Sequence, residues 1–159
     1  MEIATRRICF AGCTSNPDED WMIKVIRILT DWNSGFLKDK RYLLMDRDAK
    51  YSEAFRFMLK GSDVEPVRLP PKSPNLNAHI ERYMRSLKEE CIERLILFGE
   101  KSLLKAVSEY LIHFHTERNH QGLENRIIQP GDEVGKPQGT IDCRNRLGGM
   151  LRYYYREAA

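Results

Sequence analysis

The stretch SPNLNAHIERYMRSLKEEC, residues 73–91, joins a polar, proline-containing loop to a strongly patterned helix. Its apolar residues recur at the i, i+4, i+7 and i+11 positions of one helix face, and these are Ile80, Met84, Leu87 and Cys91. This spacing predicts a helix over about residues 77–95 that turns this face to a core.

Glu81, Arg85 and Lys88 lie on one flank of the predicted helix. At ~100° per residue, Glu81 and Lys88 project only about 20° apart, beside the apolar stripe. An acid therefore begins the flank, and two basic residues follow one and two turns further on. Taken alone, this flank is more typical of a solvated face with an i, i+4 Glu-to-Arg pair than of a functional site.

The rest of the chain predicts alternating strands and helices. Strands are predicted over residues 6–13, 41–45 and 64–69. Besides residues 77–95, helices are predicted over residues 16–35, 52–60 and 101–116. The order β-α-β-α-β-α-α indicates an α/β fold in which helices pack on a sheet.

The first of these helices has the residues of a helix start. Asn16 is expected as its N-cap and Pro17 as its first helical residue, with three acids in the first turn,. A buried stripe is expected from its apolar residues Trp21, Val25, Ile28, Leu29 and Trp32,.

Asp46 directly follows the predicted strand at residues 41–45. In open α/β sheets, functional groups cluster just outside the carboxyl ends of strands. A carboxylate at such a place binds a hard cation such as Mg²⁺, accepts a phosphoryl group, or caps the following helix. Its position alone leaves these three alternatives open.

Composition bounds the class of protein. The 159 residues suffice for one domain,. No signal peptide is present, and no apolar run approaches the ~20 residues that span a bilayer, so a soluble cytoplasmic protein is expected. The four cysteines form no CxxC pair and are expected as reduced thiols, with Cys9 and Cys13 on one face of a strand,.

The formal net charge of +3 is concentrated at the carboxyl end, because residues 136–159 hold five basic and two acidic residues. Within them LRYYYRE, residues 151–157, sets arginines around three tyrosines. This mixture suits contacts with phosphates and stacking on bases. Alternatively, the basic tail packs back on its own domain.

Two spaced motifs resemble the integrase-type catalytic core of bacterial insertion-sequence transposases, a family related to retroviral integrases and to ribonuclease H. In MDRDAKY, residues 45–51, a strand ends in Asp46, and the aromatic Tyr51 follows five positions later. NAHIERYMRSLK, residues 77–88, resembles the family pattern N-G-x-x-E-R-x-x-R-x-L-K. The resemblance continues through YLIHFHTERNHQGL and IIQP to Pro130.

The resemblance implies a ribonuclease H-like mixed sheet flanked by helices. It also implies the transposase of a mobile element, with a DDE-type active site that cuts and joins DNA. Asp46 and Glu81 match the second and third catalytic acids. They would bind Mg²⁺ or Mn²⁺, with two ions about 3.5–4 Å apart in the complete family site. The ions would activate water or a DNA 3′-hydroxyl and stabilise the leaving oxygen.

The resemblance also implies partners. DNA is expected at transposon ends and target, and the expected DNA-binding residues are Lys88, Arg85, Arg82, Lys72 and Arg152. The complete family implies a homo-oligomer and a location in the bacterial cytoplasm.

The first catalytic Asp of the family has no match in this chain. In the family it bridges both ions from the first, central strand of a sheet ordered 3-2-1-4-5, whereas residues 6–13 match the third strand. The first two strands and that Asp are therefore expected before Met1. This predicts a partial catalytic core over residues 1–130, followed by a basic, tyrosine-containing tail over residues 131–159.

Such a chain is expected to be an inactive or incomplete fragment of a catalytic domain. One alternative is a non-catalytic DNA-binding or multimerisation remnant of a transposase. Another is a phosphoacceptor domain with Asp46 as acceptor, although the acidic pair that such a domain needs at an early strand end is absent from the sequence.

Residues outside the three-acid site depart from the family pattern. Ala78 replaces the usual Gly, Asn119 replaces the usual Pro, and His115 lies where Asn is common. His113, His115 and His120 cluster near a predicted helix end, but no cysteine or acid at zinc-finger spacing joins them,. Hydrogen-bonded or solvent-facing histidines are therefore favoured over a metal site.

Overall fold

The computed structural model describes residues 1–71 and 74–157. The chain forms two compact units, of which one is Cys9–Ala78 and the other joins Met1–Ile8 to His79–Ala159. The predicted boundary at residue 130 falls inside the second unit. A separate functional role for residues 131–159 stays a prediction.

The unit at residues 9–78 is a β-α-β arrangement preceded by a helix. Its elements are α1 (Glu19–Leu29), β1 (Tyr42–Met45), α2 (Glu53–Gly61) and β2 (Glu65–Arg68). β1 and β2 pair in parallel, with Tyr42 opposite Glu65 and Met45 opposite Arg68. The core lies between the helices and this sheet and contains Met22, Ile26, Leu37, Met45, Phe55, Leu59 and Val64. The predicted strands at residues 41–45 and 64–69 and the predicted helix at residues 52–60 are confirmed.

Helix α1 begins later than its sequence suggests. Its N-cap is Asp18, whose Oδ1 accepts the N–H of Trp21 at 2.8 Å, so the prediction of Asn16 as N-cap was wrong. Asp18 is the cap because its side chain reaches the Trp21 N–H, three residues further on, which lies in the first turn where backbone N–H groups lack helical partners,.

The buried face of α1 also differs from the predicted stripe. Its buried residues are Met22, Val25 and Ile26, whereas Ile28 is 63% exposed. Trp32 lies beyond the last helical residue and is 83% exposed. Ile28 projects about 200° from Ile26, away from the buried face, and Trp32 follows the end of the helix at Leu29,.

Residues 6–13 do not form a strand, which corrects the prediction for this segment and for Cys9 and Cys13 on one strand face. The Ile8 N–H instead donates to His115 Nε2 at 2.9 Å. An alternating pattern becomes a strand only where a neighbouring strand accepts its backbone hydrogen bonds. Among the described residues, the His115 side chain accepts the Ile8 N–H, and no strand pairs with residues 6–13.

The second unit is built on two helices, α3 (Ala78–Glu90) and α4 (Gly99–Thr116). Helix α3 begins within one residue of the predicted start at 77 but ends at Glu90 rather than near residue 95, and a 3-10 turn at Ile92–Arg94 follows. Helix α4 matches the prediction of residues 101–116 to within two residues at its start. The packed residues between them are Tyr83, Leu87, Cys91, Ala106, Val107, Tyr110 and Phe114.

Tyr83 takes the place in the core that the sequence assigned to Met84. Met84 is 53% exposed, while the ring of Tyr83 packs edge-on against Phe114 with centroids 5.0 Å apart. Counted from Ile80, Tyr83 is at i+3 and Met84 at i+4. The helical period therefore allows either Tyr83 or Met84 to share the buried face with Leu87. The aromatic ring buries more surface, which favours Tyr83.

The carboxyl end of the chain forms an antiparallel hairpin of β3 (Ile141–Arg146) and β4 (Leu151–Arg156). Its turn contains Gly148 and Gly149, whose φ values of 67° and 90° favour glycine,. Leu151 belongs to the core cluster of α3 and α4, and Arg146 bonds Glu117 at the end of α4. The alternative that the basic tail packs back on its own domain is therefore confirmed.

The architecture is mixed α/β with two short two-stranded sheets, and it is consistent with the ribonuclease H-like fold of an integrase core. The presence of further strands before β1 in a complete sheet stays a prediction. Among the described residues, no helix is long and apolar enough to cross a membrane.

Candidate active site

Asp46 lies where the sequence placed it, directly after β1. β1 and β2 are parallel, so their carboxyl ends meet at one edge, and Asp46 is exposed there,. Leu69 N–H donates to Met45 O at 2.9 Å, and Arg47 Nε donates to Leu69 O at 3.0 Å, which ties the chain after β2 to the chain after β1. Asp46 therefore projects from a fixed strand end.

The helix-capping alternative for Asp46 is wrong. The N-cap of α2 is Ser52, whose side chain accepts the N–H of Phe55 at 3.3 Å. Asp46 Oδ1 instead accepts the N–H of Asp48 at 3.1 Å, in a turn of its own. Its second carboxylate oxygen makes no hydrogen bond to the described part of the chain, so one oxygen stays available to a cation or another donor.

Two neighbours of Asp46 are engaged in the same turn. Asp48 binds Lys50 Nζ at 2.8 Å, and hydrogen bonds from Lys50 lower the pKa of this carboxylate. Tyr51 is half-buried against Phe55, with ring centroids 5.4 Å apart, and burial raises the pKa of its hydroxyl. Asp48 therefore belongs to the turn and is paired with Lys50, whereas one carboxylate oxygen of Asp46 bonds no described residue.

Glu81 lies in the first turn of α3 with an exposed side chain. The partial positive charge of a helix N-terminus favours an anion at this position. Arg85 and Lys88 are exposed further along the same flank. Lys88 Nζ lies 3.7 Å from Glu93, but both side chains are more than half exposed, so this pair contributes little,. The predicted flank of one acid and two basic residues is thus present on the surface of α3.

Arg82 lies apart from this flank. At ~100° per residue it projects about 100° away from Glu81, on the side of α3 that faces the end of α4. There it lines a cleft of about 230 Å³ with Arg6, His79 and Arg118, among others. Arg118 is held by Glu90 at 2.5 Å and by the Tyr110 hydroxyl at 3.0 Å. The sequence grouped Arg82 with Lys88, but the structure divides them between two surfaces of one helix.

Arg152 lies on β4, exposed, and donates from Nε to Gly149 O at 3.2 Å. Lys72 lies outside the described residues. Asp46 belongs to the unit at residues 9–78 and Glu81 to the second unit. The approach of their carboxylates to a shared cation stays a prediction.

Sequence reasoning missed the buried ion network at the end of α4. Glu117 is the buried acid of this network, and its carboxylate is fully enclosed. It accepts from Arg146 at 2.7–3.0 Å, and His113 Nδ1 lies 2.9 Å away. Burial alone would raise the pKa of Glu117, but the hydrogen bonds from Arg146 and His113 hold it below its ordinary value. A signal was present, since Glu117 continues the helical spacing of the buried Val107, Tyr110 and Phe114.

The three histidines are hydrogen-bonded, as the sequence favoured. His113 bonds Glu117, His115 accepts from Ile8, and His120 Nε2 lies 2.7 Å from Phe114 O. Burial lowers the pKa of both His115 and His120. Across residues 1–71 and 74–157, no group of three or more His, Cys, Asp or Glu side chains is placed to hold a metal ion. The donors at Asp46 and Glu81 are carboxylate oxygens, which are of the hard type that Mg²⁺ prefers.

Comparison with known proteins bears on the segment that contains Glu81. Residues 62–127 match the family model described as the integrase core domain. The match includes β2, α3 and α4, and it covers Glu81, Arg82, Arg85 and Lys88. No curated protein matches the chain. Residues 62–127, about two-fifths of the chain, are therefore similar to the integrase core domain.

Proposed function

We propose that this chain is an inactive or incomplete fragment of the catalytic domain of a DNA transposase or integrase, in which Asp46 and Glu81 are two of the three acids of a metal-dependent site for cleavage and joining of DNA strands. The observation that carries the proposal is the integrase core match over a segment in which Glu81 opens an exposed helix beside Arg85 and Lys88. Asp46, at the carboxyl end of β1, is the second acid that this function needs.

Divalent cations such as Mg²⁺ or Mn²⁺ would supply activation of the attacking hydroxyl and stabilisation of the leaving oxygen at phosphorus. Asp46 and Glu81 would hold them through carboxylate oxygens. The strand end fixes the backbone of Asp46, and the first helical turn fixes that of Glu81. Arg85 and Lys88 would bind phosphates next to Glu81 and orient the DNA backbone, since basic side chains on one helix flank follow a polyanion without reading its sequence.

The test is a nicking and strand-transfer assay on DNA with Mg²⁺ and with Mn²⁺, for the chain by itself and for the chain joined to a strand that carries the family's first catalytic Asp. The chain by itself should give no product, because two matched acids do not complete a three-acid site. In the joined chain, Glu81→Gln and Asp46→Asn keep the size and polarity of each side chain but remove its charge, and each should abolish product formation. Asp48→Asn is the matched control and should leave that activity within a few-fold, because Asp48 is bound to Lys50 in the turn. Activity that survives both Glu81→Gln and Asp46→Asn would reject the proposed roles, and robust activity of the chain by itself would reject the incomplete fragment.

A second function is a non-catalytic DNA-binding or multimerisation part of a transposase. The exposed Arg85 and Lys88 favour it, because they bind phosphate without any metal,. This function predicts DNA binding that Glu81→Gln leaves unchanged or strengthens, with no product in either metal. A homo-oligomer and the bacterial cytoplasm are proposed from the family resemblance alone.

A further inference from the structure

The two faces of the β3–β4 hairpin differ in chemistry. The inner face carries Asp142, Arg144, Arg146, Leu151, Tyr153 and Tyr155, and the outer face carries Ile141, Cys143, Asn145, Arg152, Tyr154 and Arg156. This division follows from the alternation of side chains along each strand. Leu151 is buried against α4, which shows that the first of these faces is the inner one.

The polar and charged side chains of the inner face bind other groups of the chain. Tyr153 and Tyr155 stack with ring centroids 5.8 Å apart and planes 12° apart, and the Arg144 guanidinium lies 4.9 Å from the centroid of Tyr155. The Tyr155 hydroxyl donates to Asp142 at 3.0 Å. Arg146 is bound to Glu117. The charged groups and both tyrosines of this face therefore have protein partners.

The outer face presents the third tyrosine to solvent. Tyr154 is 63% exposed and has Arg152 and Arg156 two residues away on either side. The outer face has no carboxylate among its six positions, so it carries two positive charges. Arg152 donates one hydrogen bond to the backbone oxygen of Gly149, and Arg156 donates one to that of Gly139. Their other guanidinium nitrogens make no hydrogen bond within the part of the chain that the structure describes.

Arg152 and Arg156 lie on either side of Tyr154 along strand β4. Residues two apart on a strand are about 7 Å apart, so Arg152 and Arg156 span about 13 Å around Tyr154. A cavity of about 320 Å³ lies at the edge of the hairpin, and its lining includes Tyr154 and Arg156 of the outer face, Tyr153 and Tyr155 of the inner face, and the acid Glu133. An aromatic ring between two basic residues is the arrangement by which proteins hold an unpaired base between its phosphates.

We propose that the outer face of the β3–β4 hairpin binds single-stranded DNA, with one unpaired base stacked on Tyr154 and the flanking phosphates bound by Arg152 and Arg156. The inner-face contacts fix this orientation, because turning the hairpin over would expose Leu151 and strip Glu117 of Arg146. The inference rests on the proposed function for the nature of the polymer, and it does not depend on the chemistry of Asp46 and Glu81.

The experiment measures fluorescence anisotropy of the full chain with a labelled oligo-dT of about 15 nucleotides, and with an oligo-rU of equal length. Tyr154→Ala should weaken oligo-dT binding roughly 5-fold to 100-fold, the range expected for loss of one stacked base. Tyr154→Phe should bind as the unaltered chain does, because the ring remains. Arg152→Ala should lower the salt slope of single-strand binding by about 0.7.

Phe98→Ala is the matched control. Phe98 is an aromatic residue of the same unit and is 82% exposed. It precedes α4 in the chain, whereas the hairpin follows α4. Phe98→Ala should leave oligo-dT binding unchanged. Equal binding by Tyr154→Ala and the unaltered chain overturns the proposal, as does a chain that binds oligo-rU but not oligo-dT. Loss of self-association in Tyr154→Ala without loss of oligonucleotide binding overturns it in favour of a protein partner.

The two proposals fail separately. Tyr154→Ala leaves the carboxylates of Asp46 and Glu81 in place, and Glu81→Gln leaves the hairpin in place. If oligo-dT binding depends on Tyr154 while no metal-dependent nicking occurs even when the first catalytic Asp is supplied, the proposed function falls and the hairpin proposal stands. If nicking requires Glu81 while Tyr154→Ala binds oligo-dT normally, the reverse holds.

Discussion

The guanidinium of Arg146 and the carboxylate of Glu117 form three hydrogen bonds of 2.7–3.0 Å across 29 positions of sequence. The Glu117 side chain is fully buried and that of Arg146 is 15% exposed. This pair joins the end of α4 to strand β3. It therefore sets the register in which the hairpin lies against the helix, and with it the face that Tyr154 presents to solvent.

Arg146→Ala should destabilise the chain by about 3–5 kcal/mol, because it leaves the Glu117 carboxylate buried without its main partner. Urea unfolding, followed by circular dichroism, measures the change. Arg126→Ala is the matched control: its pair with Glu124 is exposed on both sides, and its loss should change stability by less than about 0.5 kcal/mol,. Equal effects of the two substitutions would mean that the buried pair does not anchor the hairpin.

Stability should decline as the pH falls below 6.5. His115 accepts the Ile8 N–H through Nε2, and burial lowers the pKa of His115 below its ordinary value of 6.5. A lowered pKa means that the unfolded chain binds the proton more readily, so the stabilisation present above pH 6.5 is lost as the pH falls through the folded value. Burial lowers the pKa of His120 in the same direction.

His115→Gln tests this pH dependence, because the amide oxygen can accept from Ile8 without titrating. Thermal unfolding at pH 7.5 and 5.5 should show a smaller difference in midpoint for the variant than for the unaltered chain, with His120 supplying the remainder. A variant that keeps the full pH dependence would show that His115 does not titrate on folding. Glu117 also contributes to stability, and because its pKa is lowered, that contribution should be lost only as the pH falls below 4.5, the ordinary pKa of a glutamate,.

Lys88→Ala should weaken binding to duplex DNA and reduce the slope of log affinity against log salt by about 0.9, the value for one phosphate contact. Arg85→Ala should act in the same way. Binding titrations at several salt concentrations give both quantities. Lys105→Ala, an exposed lysine on α4, is the control and should leave the slope unchanged. A slope that Lys88→Ala and Arg85→Ala leave intact would identify the flank as an ordinary solvated helix face.

Asp18→Ala should cost about 1 kcal/mol, because Asp18 accepts the Trp21 N–H as the N-cap of α1,. Asn16→Ala should cost less than about 0.5 kcal/mol, since it removes a side chain that caps no helix in the described residues. Urea unfolding of the two variants compares them directly. A larger loss for Asn16→Ala would place the start of the helix where the sequence alone suggested it.

Local patterns predicted most of the regular elements. The strand at residues 41–45, the helix at residues 52–60 and the helices α3 and α4 depend on neighbours a few residues away, and each was confirmed. The same holds for the exposed Glu81, Arg85 and Lys88 on one flank, since a helical spacing determines which residues share a face,. The integrase-type motif around Glu81 was likewise identified from the spacing of its residues, and the family match includes this motif.

Contacts between distant segments decided the rest. Residues 6–13 alternate like a strand, yet Ile8 bonds a histidine 107 positions away, because a strand requires a partner that a local pattern does not provide,. Tyr83 and Met84 fit the helical period almost equally, and the packing of Phe114 chose Tyr83. Three consecutive tyrosines are equivalent in the sequence, and only the docking of Leu151 and Arg146 on α4 turns Tyr153 and Tyr155 inward and leaves Tyr154 in solvent. Burial is a property of the assembled core, so the sequence determines which side chains share a face, and tertiary packing determines which face meets water.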